Sequence, residues 1–194
     1  MRRAALLLAG LLATAVFGAA VLAGAVAGTA IPGAETSAGQ TSGGPAPGGP
    51  PSGRAVSSIP PTYLALYQQA AVTCAGLPWT VLAGIGTVES DNGQSAAAGV
   101  RSGANFAGAE GPMQFEPATF SSVAVVGPGG ADPPSPYDPV DAVYSAAHLL
   151  CIDGGGDPAT VARAIYAYNH SSDYVAQVLS LASSYGASGG AGQR

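Results

Sequence analysis

The segment Pro78-Trp79-Thr80-Val81-Leu82-Ala83-Gly84-Ile85-Gly86-Thr87-Val88-Glu89-Ser90 decides how this chain is read. Proline opens it, where its fixed φ suits the first turn of a helix. Trp79, Leu82, Ile85 and Val88 follow at three-residue spacing and lay an apolar stripe along one helical face. Glu89 arrives at the C-terminal end of that stripe. Apolar neighbours and the negative end of a helix dipole both favour the protonated form of a carboxyl group, which when free titrates near about 4.3.

Outward from this segment the pattern stays helical. After Pro60-Pro61, the residues Tyr63, Leu64, Tyr67, Ala70, Ala71 and Cys74 recur every three or four positions, and Gly76 is expected to end that helix. Residues 90–111 contain Asn92-Gly93, Gly99, Gly103 and Gly108 and read as a long loop, a feature that in small domains is usually functional. A short helix is expected from Pro117, carrying Phe120 and Val123, and residues 128–136 are too rich in Pro and Gly to be anything but loop. Asp138 as N-cap, Pro139 and Asp141 announce a further helix with Val143, Ala146, Ala147, Leu150 and Cys151, closed by Gly154. Asp157-Pro158 repeats the start signal for Val161, Ala164, Ile165 and Tyr168. Ser171 or Ser172 caps a last helix bearing Tyr174, Val175, Val178, Leu179 and Ala182, ended by Gly186. Five or six short helices without a strand run make an all-α domain over residues 60–186.

The ends of the chain differ from this domain. Met1-Arg2-Arg3 precedes an uncharged run from Ala4 to Ala30, the order of an export signal, with small residues at Gly28 and Ala30 for cleavage. The run is also long enough to remain as a membrane anchor, so residues 1–30 are a signal peptide or a signal anchor. Residues 31–59 are Gly-, Pro- and Ser-rich and are expected to form a disordered linker, and residues 187–194 a flexible tail. Between residues 31 and 194 four arginines face eleven carboxylates, 4 minus 11 or −7, and the chain has no lysine. That balance argues against a nucleic-acid partner, which needs clustered cations. Cys74 and Cys151 are too far apart for a redox or zinc motif, and in an exported chain an even count favours one disulfide between them.

Three short motifs add a resemblance. Ile85-Gly86-Thr87-Val88-Glu89-Ser90 resembles the Glu-Ser segment of soluble lytic transglycosylases, Gly111-Pro112-Met113-Gln114-Phe115 their Gly-Leu-Met-Gln, and Ala167-Tyr168-Asn169 their Ala-Tyr-Asn, in the same order. The likeness covers residues 61–185 and is nearest to the secreted actinobacterial branch. It implies a lysozyme-like fold, peptidoglycan glycan strands as partner, no cofactor and no metal. It further implies that Glu89 is the acid/base that cleaves the bond between N-acetylmuramic acid and N-acetylglucosamine, leaving a 1,6-anhydro end.

By the same resemblance Ser90 would orient the reacting sugar or its neighbours, Met113 would line the cleft, and Gln114 would bond substrate amides or hydroxyls. Tyr168 would place its hydroxyl on Glu89, and Asn169 would fix the following loop. Taken alone a helix-end glutamate is an ordinary solvated carboxylate; the accompanying motifs decide for catalysis. Asp91 would point to the opposite side of a continuing helix, and Glu110 and Glu116 are expected at the surface, which leaves a single-acid mechanism instead of the usual carboxylate pair. His148 and His170 have no partner at metal-ligand spacing. A hydrolytic muramidase and an idle wall-binding module are the alternative readings.

Overall fold

The computed structural model describes residues 47–187. The signal or anchor segment 1–30, the linker up to residue 46 and the tail from residue 188 lie outside the described residues. Among the described residues there are seven helices: α1 Gly53–Ser58, α2 Pro61–Ala71, α3 Trp79–Ser90, α4 Pro117–Val123, α5 Pro139–Ile152, α6 Val161–Asn169 and α7 Ser172–Tyr185. The only β-type pairings among them are two isolated bridges, so the all-α expectation holds.

Two of the expected starts are made by the expected residues, whereas α6 begins after Thr160 and the Asp157 carboxylate accepts Ala159 N–H in the turn before it. The Asp138 carboxylate accepts the N–H groups of Val140 and Asp141 at 2.8 and 3.2 Å, and the Ser171 hydroxyl accepts that of Tyr174 at 3.3 Å. Asp141 goes further than its capping position suggests. It is fully buried, and its carboxylate collects the N–H groups of Gly127, Ala131 and Ser135, each at 3.0 Å. One side chain thereby satisfies the backbone of a loop that has no ladder of its own.

The helix α3 is the centre of the molecule and packs most extensively on α7, with α2 and α5 on its other sides. An apolar stripe on one face is therefore a correction to make: every residue from Trp79 to Gly86 is buried, as in a helix surrounded by protein. Its glycines permit this. A Cβ at position 84 would lie 2.8 Å from the Val178 carbonyl oxygen of α7, and one at position 86 would collide with the Tyr67 hydroxyl of α2.

Residues 47–59 depart from the disordered linker that composition predicts. Trp79 donates its backbone N–H to Pro47 O and its indole N–H to Gly49 O, both at 2.9 Å. Ser52 N–H donates to Tyr185 O, its hydroxyl to Ser184 O, and Ala187 N–H donates to Pro50 O. Then α1 buries Ala55, and Ile59 follows it into the core. The stretch from Pro47 to Ser52 carries no large apolar side chain; it supplies backbone carbonyls to Trp79, and a Cβ at position 48 would lie 3.0 Å from the Trp79 ring.

Cys74 and Cys151 form a disulfide with a Cα–Cα separation of 5.6 Å, tying the chain just beyond α2 to the last turn of α5. The cross-link spans 77 positions, which in the chain-entropy account stabilises the fold by roughly 4 kcal/mol.

Candidate active site

Glu89 sits in the last turn of α3, where the helix stops abruptly. Asp91 and Asn92 both adopt left-handed backbone, with φ of 52° and 55°, and Asn92 N–H reaches back to Gly86 O at 2.9 Å. The side chain of Asn92 is buried, and its Oδ1 accepts the Tyr67 hydroxyl at 3.0 Å. The helix end is thus fixed to α2, and Glu89 is held at the edge of the core, half-buried.

Its carboxyl group has one strong partner. The Tyr174 hydroxyl donates to Glu89 Oε1 at 2.6 Å. Burial pushes the Glu89 pKa from 4.5 up to about 7, against the opposing effect of the Tyr174 hydrogen bond, which favours the ionised form. The helix end adds its negative dipole to the upward push. Tyr174 itself, buried beside a carboxylate, is held far above the ordinary phenol range. It stays a donor at any physiological pH.

The carboxyl group opens onto a cleft of about 310 Å³. Glu89, Asn105, Gln114, Glu116, Tyr168 and Asn169 line it. The three sequence motifs therefore meet here, but not in the roles expected of each residue. Ser90 is 1 % exposed; its hydroxyl donates to Pro112 O at 2.6 Å and accepts Gly93 N–H at 2.8 Å. It cannot orient a sugar directly. Met113 is fully buried in the core and does not line the cleft. Tyr168 donates to Met113 O at 2.8 Å, not to Glu89.

These departures share one explanation. Gly111–Gln114 is a tight turn closed by reciprocal Glu110–Phe115 backbone bonds at 2.9 Å, and its carbonyls at Pro112 and Met113 face away from any ladder. Ser90 on α3 satisfies the first and Tyr168 on α6 the second. The two polar motif residues lash the turn between two helices and so fix the position of Gln114. That residue has φ 48°, donates Nε2–H to Gly111 O at 2.8 Å, and accepts Asn105 Nδ2–H on Oε1 at 2.9 Å. Asn169 is exposed on the cleft rim.

Of the polar residues in the loop over 90–111, Asn105 lines the cleft, Asn92 is buried, and Arg101 is exposed with its guanidinium on Gln94 O. Among the other carboxylates Asp91 is exposed beyond the helix end, whereas Glu116 is exposed on the cleft itself. His148 Nδ1 lies 3.0 Å from Val123 O, a structural contact; His170, the left-handed cap of α6, lines the cleft. Among the described residues no group of three or more His, Cys, Asp or Glu side chains is placed to hold a metal ion. Sequence reasoning missed Tyr174 as the partner of Glu89. Its only signal was membership of the apolar stripe of α7, which any core tyrosine would share.

The all-α arrangement, a central buried helix wrapped by shorter ones, is a fold shared with solved lytic transglycosylase structures. Among solved structures the chain is similar to the Escherichia coli lytic transglycosylase Slt35 in complex with bulgecin A, at 19% identity and TM-score 0.50, over 67% of this chain and 76% of that one. It is likewise similar to the same enzyme in complex with calcium, at 18% identity and TM-score 0.50 over the same shares. At these identities the likeness bears on the fold. No protein-family model and no curated sequence matches the chain.

Proposed function

We propose that this protein is a peptidoglycan lytic transglycosylase that cleaves the β-1,4 bond between N-acetylmuramic acid and N-acetylglucosamine with Glu89 as its acid/base. The observation that carries the reading is a buried-edge glutamate with a pKa near neutrality, held by Tyr174 at the wall of an open, amide-lined cleft. An acid of pKa about 7 is matched to delivering a proton at neutral pH and taking one back.

In the forward step Glu89 gives its proton to the glycosidic oxygen as the bond to the muramoyl anomeric carbon breaks. The muramoyl 6-hydroxyl oxygen then bonds to that carbon, and its proton passes to Glu89. Acid is regenerated, no water is consumed, and one strand becomes two. Tyr174 keeps one carboxyl oxygen in place, leaving the other for the sugar. Gln114, braced by Asn105, offers amide groups to the substrate's acetamido or hydroxyl groups.

One observation favours a hydrolytic second reading. Glu116 is an exposed carboxylate on the same cleft, placed where a base would activate water as in a muramidase. An idle wall-binding module has less support, because binding alone gives no reason to raise the pKa of Glu89. Mass analysis of products from purified sacculi separates the three: anhydro ends support the transglycosylase, reducing ends the muramidase, and no product at all overturns both. We further propose that the domain acts outside the cytoplasmic membrane after export through residues 1–30, cleaved or retained as an anchor. The Cys74–Cys151 disulfide supports an oxidising compartment.

A further inference from the structure

Phe106 is 98 % exposed, the most exposed large apolar side chain among the described residues. Lone apolar residues on a surface are ordinary, so exposure by itself carries nothing. The mounting of this one is not ordinary. Its neighbours on both sides, Asn105 and Ala107, line the cleft that holds Glu89. Asn105 Oδ1 accepts the N–H groups of Ala107 and Ala109 at 2.8 and 3.0 Å, while its own backbone N–H and C=O are bonded to Ala109 O and Gly108 N–H. The turn is also backed against Gly99, where a Cβ would lie 2.7 Å from Asn105 N. A phenyl ring is therefore presented to solvent on a fastened turn whose flanking residues line the cleft, and through the Asn105–Gln114 bond the mount is joined to the cleft wall.

We infer that Phe106 is a stacking platform for a sugar ring of the glycan strand, one or more residues away from the bond that Glu89 cleaves. The inference rests on the function proposed above. Asn105, Gln114, Thr119 and Asn169 give the cleft neutral hydrogen-bonding groups suited to hydroxyls and acetamides. A β-linked pyranose presents axial C–H bonds on its face, and these pack against the electron-rich face of an aromatic ring. A strand lying across Glu89 continues past the cleft, and Phe106 stands between two residues of the cleft lining, Asn105 and Ala107. The rigid mount means that little ordering remains to be done on binding.

The test uses soluble glycan strands and the full chain carrying Phe106→Ala or Phe106→Trp. Binding is measured by titration calorimetry in the inactive Glu89→Gln background, and KM and kcat in the active one. Phe106→Ala should weaken binding and raise KM by about tenfold, with kcat falling far less, and Phe106→Trp should keep wild-type affinity. Unchanged affinity and KM in Phe106→Ala, with the parent protein binding and cleaving strands normally, overturns the platform alone. A parent protein that neither binds nor cleaves strands overturns the proposed function, and the platform with it.

Discussion

The hydroxyl of Tyr174 lies 2.6 Å from Oε1 of Glu89, across 85 positions of chain. The bond joins the first turn of α7 to the last turn of α3, the two helices that pack most extensively. It therefore places the acid by way of the main helix pair, and it opposes the burial that raises the acid's pKa.

Replacing Tyr174 by Phe removes that bond while retaining most of the packing. Because the bond favours ionised Glu89, its loss moves the pKa further up, and the alkaline limb of the pH–rate profile should shift to higher pH. Turnover at the optimum should fall by about a hundredfold as the carboxyl group loses its fixed position. A pH–rate profile of Tyr174→Phe with an unmoved limb refutes the relationship.

Glu89→Gln should lower turnover by roughly 10²- to 10⁴-fold, the usual cost of a lost general acid. It should also change stability in a pH-dependent way. The folded protein holds the Glu89 proton up to about pH 7, whereas the unfolded chain releases it near 4.5, so the folded state binds more protons between those values. Stability of the wild type therefore falls as pH rises from 4.5 to 7 and is level beyond, by up to about 3 kcal/mol from this group. Glutamine cannot ionise. Denaturant titrations at several pH values should show Glu89→Gln gaining on the wild type across that window.

Tyr168→Phe tests the division of labour between two tyrosines. Its hydroxyl holds Met113 O, so the loss strands a carbonyl of the Gly111–Gln114 turn and should cost about 1 to 3 kcal/mol in stability. Activity should drop less than in Tyr174→Phe, and the pH limb should stay nearer the wild-type position. Thermal melts beside the rate profile decide; a larger activity loss than in Tyr174→Phe, with an unchanged melting temperature, contradicts the assignment.

A chain beginning at Pro60 lacks the strap over Trp79 and loses buried Ala55 and Ile59. Full burial of an isoleucine is worth about 1.5 to 3 kcal/mol, so with the lost strap the truncation should cost about 3 kcal/mol or more relative to a chain beginning at residue 46. Equal melting temperatures for the two would return residues 47–59 to the linker.

Local chemistry explains what was legible in the sequence. The starts of α5 and α7 are written in Asp138 and Ser171, whose side chains reach backbone N–H groups two or three residues on, and periodic apolar residues mark α2 and α4 to α7. The place of Glu89 at the end of α3 is legible for the same reason. Composition misjudged residues 47–59 because it counts the apolar side chains a segment carries and not those it covers.

What the chain alone could settle was helices α2 to α7, the caps of α5 and α7, the two cysteines and the glutamate that ends α3, since each depends on neighbours within a turn or two. Which hydroxyl meets that glutamate was decided only by tertiary structure. Tyr168 and Tyr174 sit six positions apart on separate helices; the direction of α6 sends one to the Met113 carbonyl, and the packing of α7 on α3 delivers the other to the carboxyl group. The raised pKa is tertiary in the same sense, because its largest cause is the burial that only the assembled helices around Glu89 provide.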